Sequence, residues 1–375
     1  MPDNPVSGKA GNLTRCEQVL DFLSENSTKN KIDFLSIKDW SDWSPEATNN
    51  FKKRFPRVNL KLITRKYNDE SLIKRILLYK IPNVFFKIFK ETTVDITNPF
   101  LNFKISKFIN NNHYDYIIVS YSSWGKIIRN IKYTPYLILD THDFVTAQHY
   151  KRNKSIGKLF QSELNILRKF NEIWTFSIEE KYLYEQFTNA KVVHMPIAFN
   201  QKKLYPLKHK KYDVIYIASE NPHNVKGIHW FLENVLPILN ENITIHIIGK
   251  IGKVIKKKYP NVIIHGMVDD LQEFYDNARI TICPMLSGTG VKIKVLESLS
   301  NNLPVVTNTR GVDGLSQKND NGCLVTDDAG EFAKYIETLI TDDELYDKLR
   351  HKAYSFIKNN HSLEKEKIFF KNKFS

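Results

Sequence analysis

Residues 284–314 read PMLSGTGVKIKVLESLSNNLPVVTNTRGVDG, and the rest of the chain is read outward from them. Ser287-Gly288-Thr289-Gly290 forms a turn. A run of helical period follows, with Val291, Val295, Leu296 and Leu299 able to face a core and Gly290, Lys294 and Glu297 on another stripe. Asn301-Asn302 ends that helix, and Leu303-Pro304-Val305-Val306 reads as the next buried strand. A glycine loop that delivers a helix N-terminus suits an anion, because first-turn N–H groups lack intrahelical partners and the helix dipole is positive there. Glycines let a phosphate approach the backbone, Lys292 or Lys294 adds a full positive charge, and Glu297 can accept hydrogen bonds from sugar hydroxyls. A diphosphate joined to a ribose uses all three. The plainer alternative is an ordinary glycine turn beside a solvated Lys294–Glu297 pair.

The run G-T-G-V-K-I-K-V-L-E-S followed by L-P-V-V resembles the nucleotide-sugar signature of the family 4 glycosyltransferases, retaining enzymes of the GT-B fold. The resemblance implies that Glu297 binds the donor ribose, and that Gly288, Thr289, Gly290 and Val291 with Lys292 and Lys294 hold the diphosphate. Many members carry a second glutamate eight positions before the first. Here that position is Thr289, in a G-T-G form of the turn found in a large branch of the family.

The chain has 375 residues, enough for two domains, and its 42% hydrophobic content suits packed cores. No run approaches the roughly 18 to 20 apolar residues of a membrane span, and MPDNPVSGKAGN has no basic-then-apolar leader pattern. A cytoplasmic enzyme, peripheral at most on the inner face of the cell membrane, is the expectation. Cys16, Cys283 and Cys323 show neither metal-ligand nor disulfide spacing. The net charge is +14, of which about +10 falls in the first 200 residues. Such a balance suits phosphorylated substrates, anionic membrane or nucleic acid.

Strand and helix patterns alternate through both halves, which predicts an α/β protein with doubly wound parallel sheets; the resemblance makes these the two facing Rossmann-like domains of GT-B. IAFNQKKLYP resembles the family's interdomain linker, which places a boundary near 205. Residues 1–205 are then an acceptor-binding domain and 206–355 a nucleotide-sugar-binding domain. Residues 356–375 form a C-terminal helix, which in GT-B enzymes returns to the first domain. In the first domain, Gly8, Gly11 and Arg15 belong to a loop and helix start that the resemblance puts near acceptor and phosphates, although the strand expected ahead of that loop is missing. Asp140-Thr141-His142-Asp143 ends a strand, where α/β sheets place ligand-handling groups. His142 and Asp143 are the candidate catalytic residues. SLIKRILLYKIPNVFFKIFK, residues 71–90, reads as a basic amphipathic helix pair broken at Pro82, suited to an anionic membrane or to ordinary packing with snorkelling lysines. In the second half, the resemblance puts Asn224 and Lys226 near the diphosphate and Gly266 beside the nucleobase.

These readings predict a retaining hexosyltransferase that takes a UDP- or GDP-sugar as donor and a glycan or lipid-linked acceptor. No metal or other cofactor is called for, since lysines and helix amides can stabilise the leaving diphosphate. A sugar-nucleotide epimerase on the same fold is the first alternative. A non-catalytic nucleic-acid binder is the second, and the absence of a nucleic-acid motif argues against it.

Overall fold

The computed structural model describes residues 1–8, 11–25, 31–66, 73, 76–88, 94–149, 155–206 and 210–374. Two compact units divide the chain, Met1–Ile197 and Ala198–Ser375. The connection read as the boundary near 205 lies within the second, and its residues 207–209 are outside the described ones.

In the first unit, β1 (Ile32–Ile37) and β2 (Val58–Ile63) pair in parallel, with Ile32 opposite Val58. The first residues of the chain lie against β1. The Met1 amino group donates to the Leu35 carbonyl at 3.4 Å, and the Pro2 carbonyl accepts from the Ser36 hydroxyl at 2.8 Å. A docked extended segment, not a sheet strand, therefore leads into the Gly8 loop. A second parallel sheet has the order β3 (Tyr116–Ser120), β4 (Tyr136–Asp140), β5 (Glu172–Thr175), β6 (Lys191–His194). Ile138, Leu139, Ile173 and Trp174 are wholly buried, as strands covered on both faces require. The helix Pro99–Asn112 packs here; Asn98 caps it by accepting from the Leu101 N–H at 2.8 Å, and Pro99 fills its first position, where no N–H is needed.

Within 71–90, the described residues differ from the broken pair of helices expected. A π-helical turn, Ile76–Lys80, runs directly into the α-helix Ile81–Ile88. Pro82 falls in the first turn of that α-helix, where its missing N–H leaves no bond unmade, so a change of helical type accommodates it in place of a break. Ile73, Ile76, Leu77, Ile81, Val84 and Phe85 are exposed. Lys74, Arg75 and Lys90 lie outside the described residues.

The second unit is a six-stranded parallel sheet in the order β12-β11-β10-β7-β8-β9. Its strands are β7 (Tyr212–Ile217), β8 (Ile245–Ile248), β9 (Val262–Gly266), β10 (Ala278–Cys283), β11 (Val305–Thr307) and β12 (Cys323–Val325). The chain enters at the centre, winds outward through β8 and β9, returns beside β7 with β10 and winds outward the other way. The winding reverses between β7 and β10, and outside the carboxyl ends of strands at such a reversal doubly wound sheets leave a ligand-binding crevice. Val214, Tyr216, Ile245, Ile247, Ile280 and Ile282 form the core with Phe231, Phe332 and Ile336. The segment expected as one closing helix is the end of Asp343–Asn360 followed by Leu363–Phe374. Between them Ser362 bridges to Phe199 of the linker, whose N–H donates to the His361 carbonyl at 2.7 Å.

Candidate active site

The loops that leave β7 and β10 meet at this reversal. After β10 comes the turn read first in the sequence. Gly288 and Gly290 take φ of +102° and +74°, a region that side-chain-bearing residues rarely enter, so glycine is what lets the chain turn here. The helix Ile293–Ser300 follows, with Lys292 at its N-cap position and no capping bond from that side chain. The N-terminal end of the helix is thus left to a ligand or solvent.

Two lysines converge on this turn. Lys292 is buried, and its Nζ donates to the Gly290 carbonyl at 2.6 Å and the Thr289 carbonyl at 3.4 Å. Lys294 donates to Asn224 Oδ1, lies 4.0 Å from the Met285 sulfur and sits 5.2 Å from the Tyr216 ring centroid. None of these atoms carries a formal charge. Burial lowers the pKa of both lysines; Asp313 and Cys283 partly restore that of Lys292, and Cys283 and Glu297 that of Lys294. A cation held mainly by neutral groups in a low-dielectric setting is destabilised until an anion arrives.

The loop after β7 supplies the opposite wall. Asn221 caps the helix Pro222–Trp230 by accepting from the N–H groups of His223 (3.0 Å) and Asn224 (2.9 Å). Asn224 donates to the Ser219 carbonyl at 2.8 Å, which aims its Oδ1 at Lys294. His223 Nδ1 lies 2.9 Å from Ser287 Oγ, its ring against Gly288. Gly227 closes the approach: a β-carbon there would fall 1.7 Å from the Pro284 carbonyl oxygen. Lys226 is exposed on the same helix. His223, Ser287, Met285 and Tyr216 are residues the sequence reading missed.

Glu297 projects about one turn into its helix. Its Oε2 accepts from the Tyr275 hydroxyl at 3.3 Å, and burial first, then the Glu297 charge, raises the Tyr275 pKa well above the phenol range, so that hydroxyl stays a donor. Gly266, with φ +69° and open space around its α-carbon, ends β9 and accepts from the Gly249 N–H at 2.6 Å. Beneath it His246 Nδ1 and His265 Nε2 lie 2.9 Å apart. Burial, then His265, brings the His246 pKa down to about 4.

In the first unit the turn after β4 carries His142 and Asp143. The His142 side chain is 1% exposed, with Nε2 3.6 Å from Asp140 Oδ2 and ring centroids at 4.5 Å from Tyr121 and 5.0 Å from Phe176. Burial pushes its pKa down to about 4 against the pull of Asp140, so the imidazole is neutral at neutral pH. Asp143 is half-buried. Arg15 is wholly buried; its NH2 group donates to the Met195 and Pro196 carbonyls, and its guanidinium lies 5.0 Å from the Phe176 ring centroid. The guanidinium therefore ties the end of β6 to the first helix. Gly8 is exposed, and Gly11 starts the helix Gly11–Glu25. Among the described residues no cluster of His, Cys, Asp and Glu is arranged to hold a metal, and no helix is long and apolar enough to cross a membrane.

Residues 211–342 match the family model described as Glycosyl transferases group 1. A 44.6 kDa protein in the cps region of Klebsiella pneumoniae is 25% identical over 288 residues, 68% of this chain and 73% of that protein. Among solved structures, Anabaena Alr3699/HepE in complex with UDP matches with a TM-score of 0.68 at 13% identity, over 99% of this chain and 97% of that one. The same protein in complex with UDP-glucose matches with a TM-score of 0.66 at 13% identity, over 98% and 96%. WaaG, a glycosyltransferase involved in lipopolysaccharide biosynthesis, matches with a TM-score of 0.60 at 11% identity, over 98% and 97%. The fold is GT-B, and the family match over the second unit supports glycosyltransferase activity.

Proposed function

We propose that the chain is a retaining family 4 hexosyltransferase that moves a sugar from a nucleoside-diphosphate sugar to a glycan or lipid-linked acceptor in the building of a bacterial surface polysaccharide. The observation that carries this reading is the pair of lysines, buried Lys292 and half-buried Lys294, held by neutral groups at the N-terminal end of a helix that no side chain caps. A diphosphate leaving group develops negative charge as the glycosidic bond breaks, and cations fixed in advance in a dry site stabilise that charge most. Glu297, steadied by Tyr275, takes the ribose hydroxyls, and the Gly266 backbone lies beside the base. From the first unit, neutral His142 acts on the transferred sugar or acceptor as a hydrogen-bonding group, with Asp143 beside it. Retention follows the family habit, in which the leaving phosphate assists attack on the same face.

The UDP and UDP-glucose complexes of Alr3699/HepE favour a uridine donor, with GDP the next base to try. The cps-region relative favours a polysaccharide product. The exposed apolar residues between Ile73 and Phe85, in a segment with five lysines or arginines and no acid from 71 to 90, favour a cytoplasmic enzyme resting on an anionic membrane. Flotation with vesicles containing phosphatidylglycerol checks that part; Leu77→Glu with Phe85→Glu is expected to release the protein.

Calorimetry and thermal shift against UDP, GDP, ADP and CMP test the donor site, followed by hydrolysis assays with matching sugar nucleotides. Stabilisation by one nucleoside diphosphate, and turnover that persists in EDTA, are expected. A folded protein that no nucleoside diphosphate stabilises overturns the reading.

A further inference from the structure

The turn that carries His142 is clamped from behind by two buried glutamates that the transfer chemistry does not use. Two successive N–H groups of this turn donate to a carboxylate, Val145 to Glu163 Oε1 at 3.0 Å and Thr146 to Glu163 Oε2 at 2.8 Å, while Glu180 lies near the Phe144 N–H. Glu163 also accepts from the Thr146 hydroxyl at 2.7 Å and the Ser122 hydroxyl at 2.9 Å, two donors on each oxygen. The glutamates come from separate helices, Ile156–Leu167 and Ile178–Phe187, and are 0% and 7% exposed.

Burying a carboxylate is unfavourable unless its bonds serve a particular geometry. Here that geometry is the backbone at His142, with φ +60°, a conformation seldom taken by residues other than glycine. The His142 ring makes no hydrogen bond through either nitrogen, so the ring does not fix the turn. Anchors on both sides do. Ahead of it, the Thr141 N–H and hydroxyl each donate to the Trp174 carbonyl at 3.0 Å. Behind it, Glu163 holds 145–146. Burial raises the carboxyl pKa of both glutamates, further raised for Glu180 by Asp143 and Glu163 and opposed at Glu163 by its hydrogen bonds.

We propose that Glu163, seconded by Glu180, is a positioning residue: it locks the 141–146 turn so that the His142 imidazole is presented in a single orientation for transfer. This rests on the reading of His142 given above. Misplacing a reacting group by about 1 Å can lower a rate on the order of a hundredfold, whereas nucleotide binding, assigned to the other unit, should not respond.

Glu163→Gln tests it, because an amide in place of either oxygen turns a donor toward a backbone N–H that already donates. The readouts are hydrolysis of UDP-glucose, or of whichever sugar nucleotide the hydrolysis assays select, UDP affinity by calorimetry, and the His142 imidazole resonances. Expected are a kcat lowered about tenfold to a hundredfold per folded molecule, UDP affinity unchanged, and shifted His142 resonances. His142→Ala is measured beside it. If His142→Ala turns over at the parental rate, the reading of His142 falls. If His142→Ala is impaired while Glu163→Gln keeps both its kcat and the parental resonances, the positioning proposal alone is overturned. A parallel loss of UDP affinity in Glu163→Gln marks general damage and overturns it too. Should Glu163→Gln not fold, Ser122→Ala combined with Thr146→Val removes two of the four donors; shifted resonances and a lower kcat are expected, and parental values of both overturn the proposal.

Discussion

The turn after β10 and the turn after β4 are built alike and charged oppositely. Each leaves the carboxyl end of a parallel strand, passes through the left-handed backbone region and enters a helix. Behind the first stand two lysines, one buried and one half-buried; behind the second, the buried Glu163 already holds two of its amides, with buried Glu180 beside it. A doubly wound fold supplies amide-rich turns at many strand ends, so the turn alone does not define an anion site. What defines it is whether the protein has provided the anion itself. By this criterion the proposed diphosphate would go to the second unit, since the first has filled its equivalent place and presents a neutral imidazole.

Lys294→Ala should break the comparison most sharply. Removing a half-buried cation proposed to meet the diphosphate is expected to weaken UDP binding by about 3 kcal/mol, roughly a hundredfold, and titration calorimetry that shows parental affinity would remove the lysine pair from the site. Glu297→Ala comes next, with a loss of about 1–3 kcal/mol in UDP affinity through charge-assisted hydrogen bonds to the ribose. Equal loss for UDP and its 2′,3′-dideoxy analogue would show that the carboxylate reads something else. The third test is a pH series. Both lysines have pKa values below the ordinary 10.5, so in the free protein they impose a stability penalty that is present below their folded values and lifted as pH rises to 10.5. Diphosphate binding needs their protons and should weaken over that same rise, so melting temperature and UDP affinity should move in opposite directions. Smallest is Lys226→Ala. This exposed lysine should change UDP affinity by no more than about threefold at physiological salt, and a larger drop would mean the loop after β7 carries more of the phosphate than its geometry suggests.

The second unit's turn was legible because its parts are local. Gly290, Lys294 and Glu297 share a helical stripe, so period alone brings them together. Asn224 was reached by resemblance, but its role in holding Lys294 depends on a contact across 70 residues that no spacing encodes. His223 and Ser287 meet across 64 residues for the same reason. The Asn221-Pro222 pair was a readable signal, a cap followed by proline at the first helical position, and it marks the start of that helix at 222. The first unit was harder. Arg15 looked like a loop cation because its carbonyl partners lie some 180 residues on. The DTHD strand end could be seen, but not the left-handed backbone at His142 or the bonds that Glu163, from a later helix, makes to the residues after it.

Gly227 sets a limit on how such a pocket can change. With only a hydrogen between its α-carbon and the Pro284 carbonyl, the two arms of the second unit already stand as close as van der Waals contact permits, and any heavier residue would act as a wedge. The aperture is therefore a fixed gauge. A descendant enzyme that comes to prefer another sugar nucleotide must do so by changing what the arms carry, at His223, Lys226 or Thr289, because their separation is not free to drift.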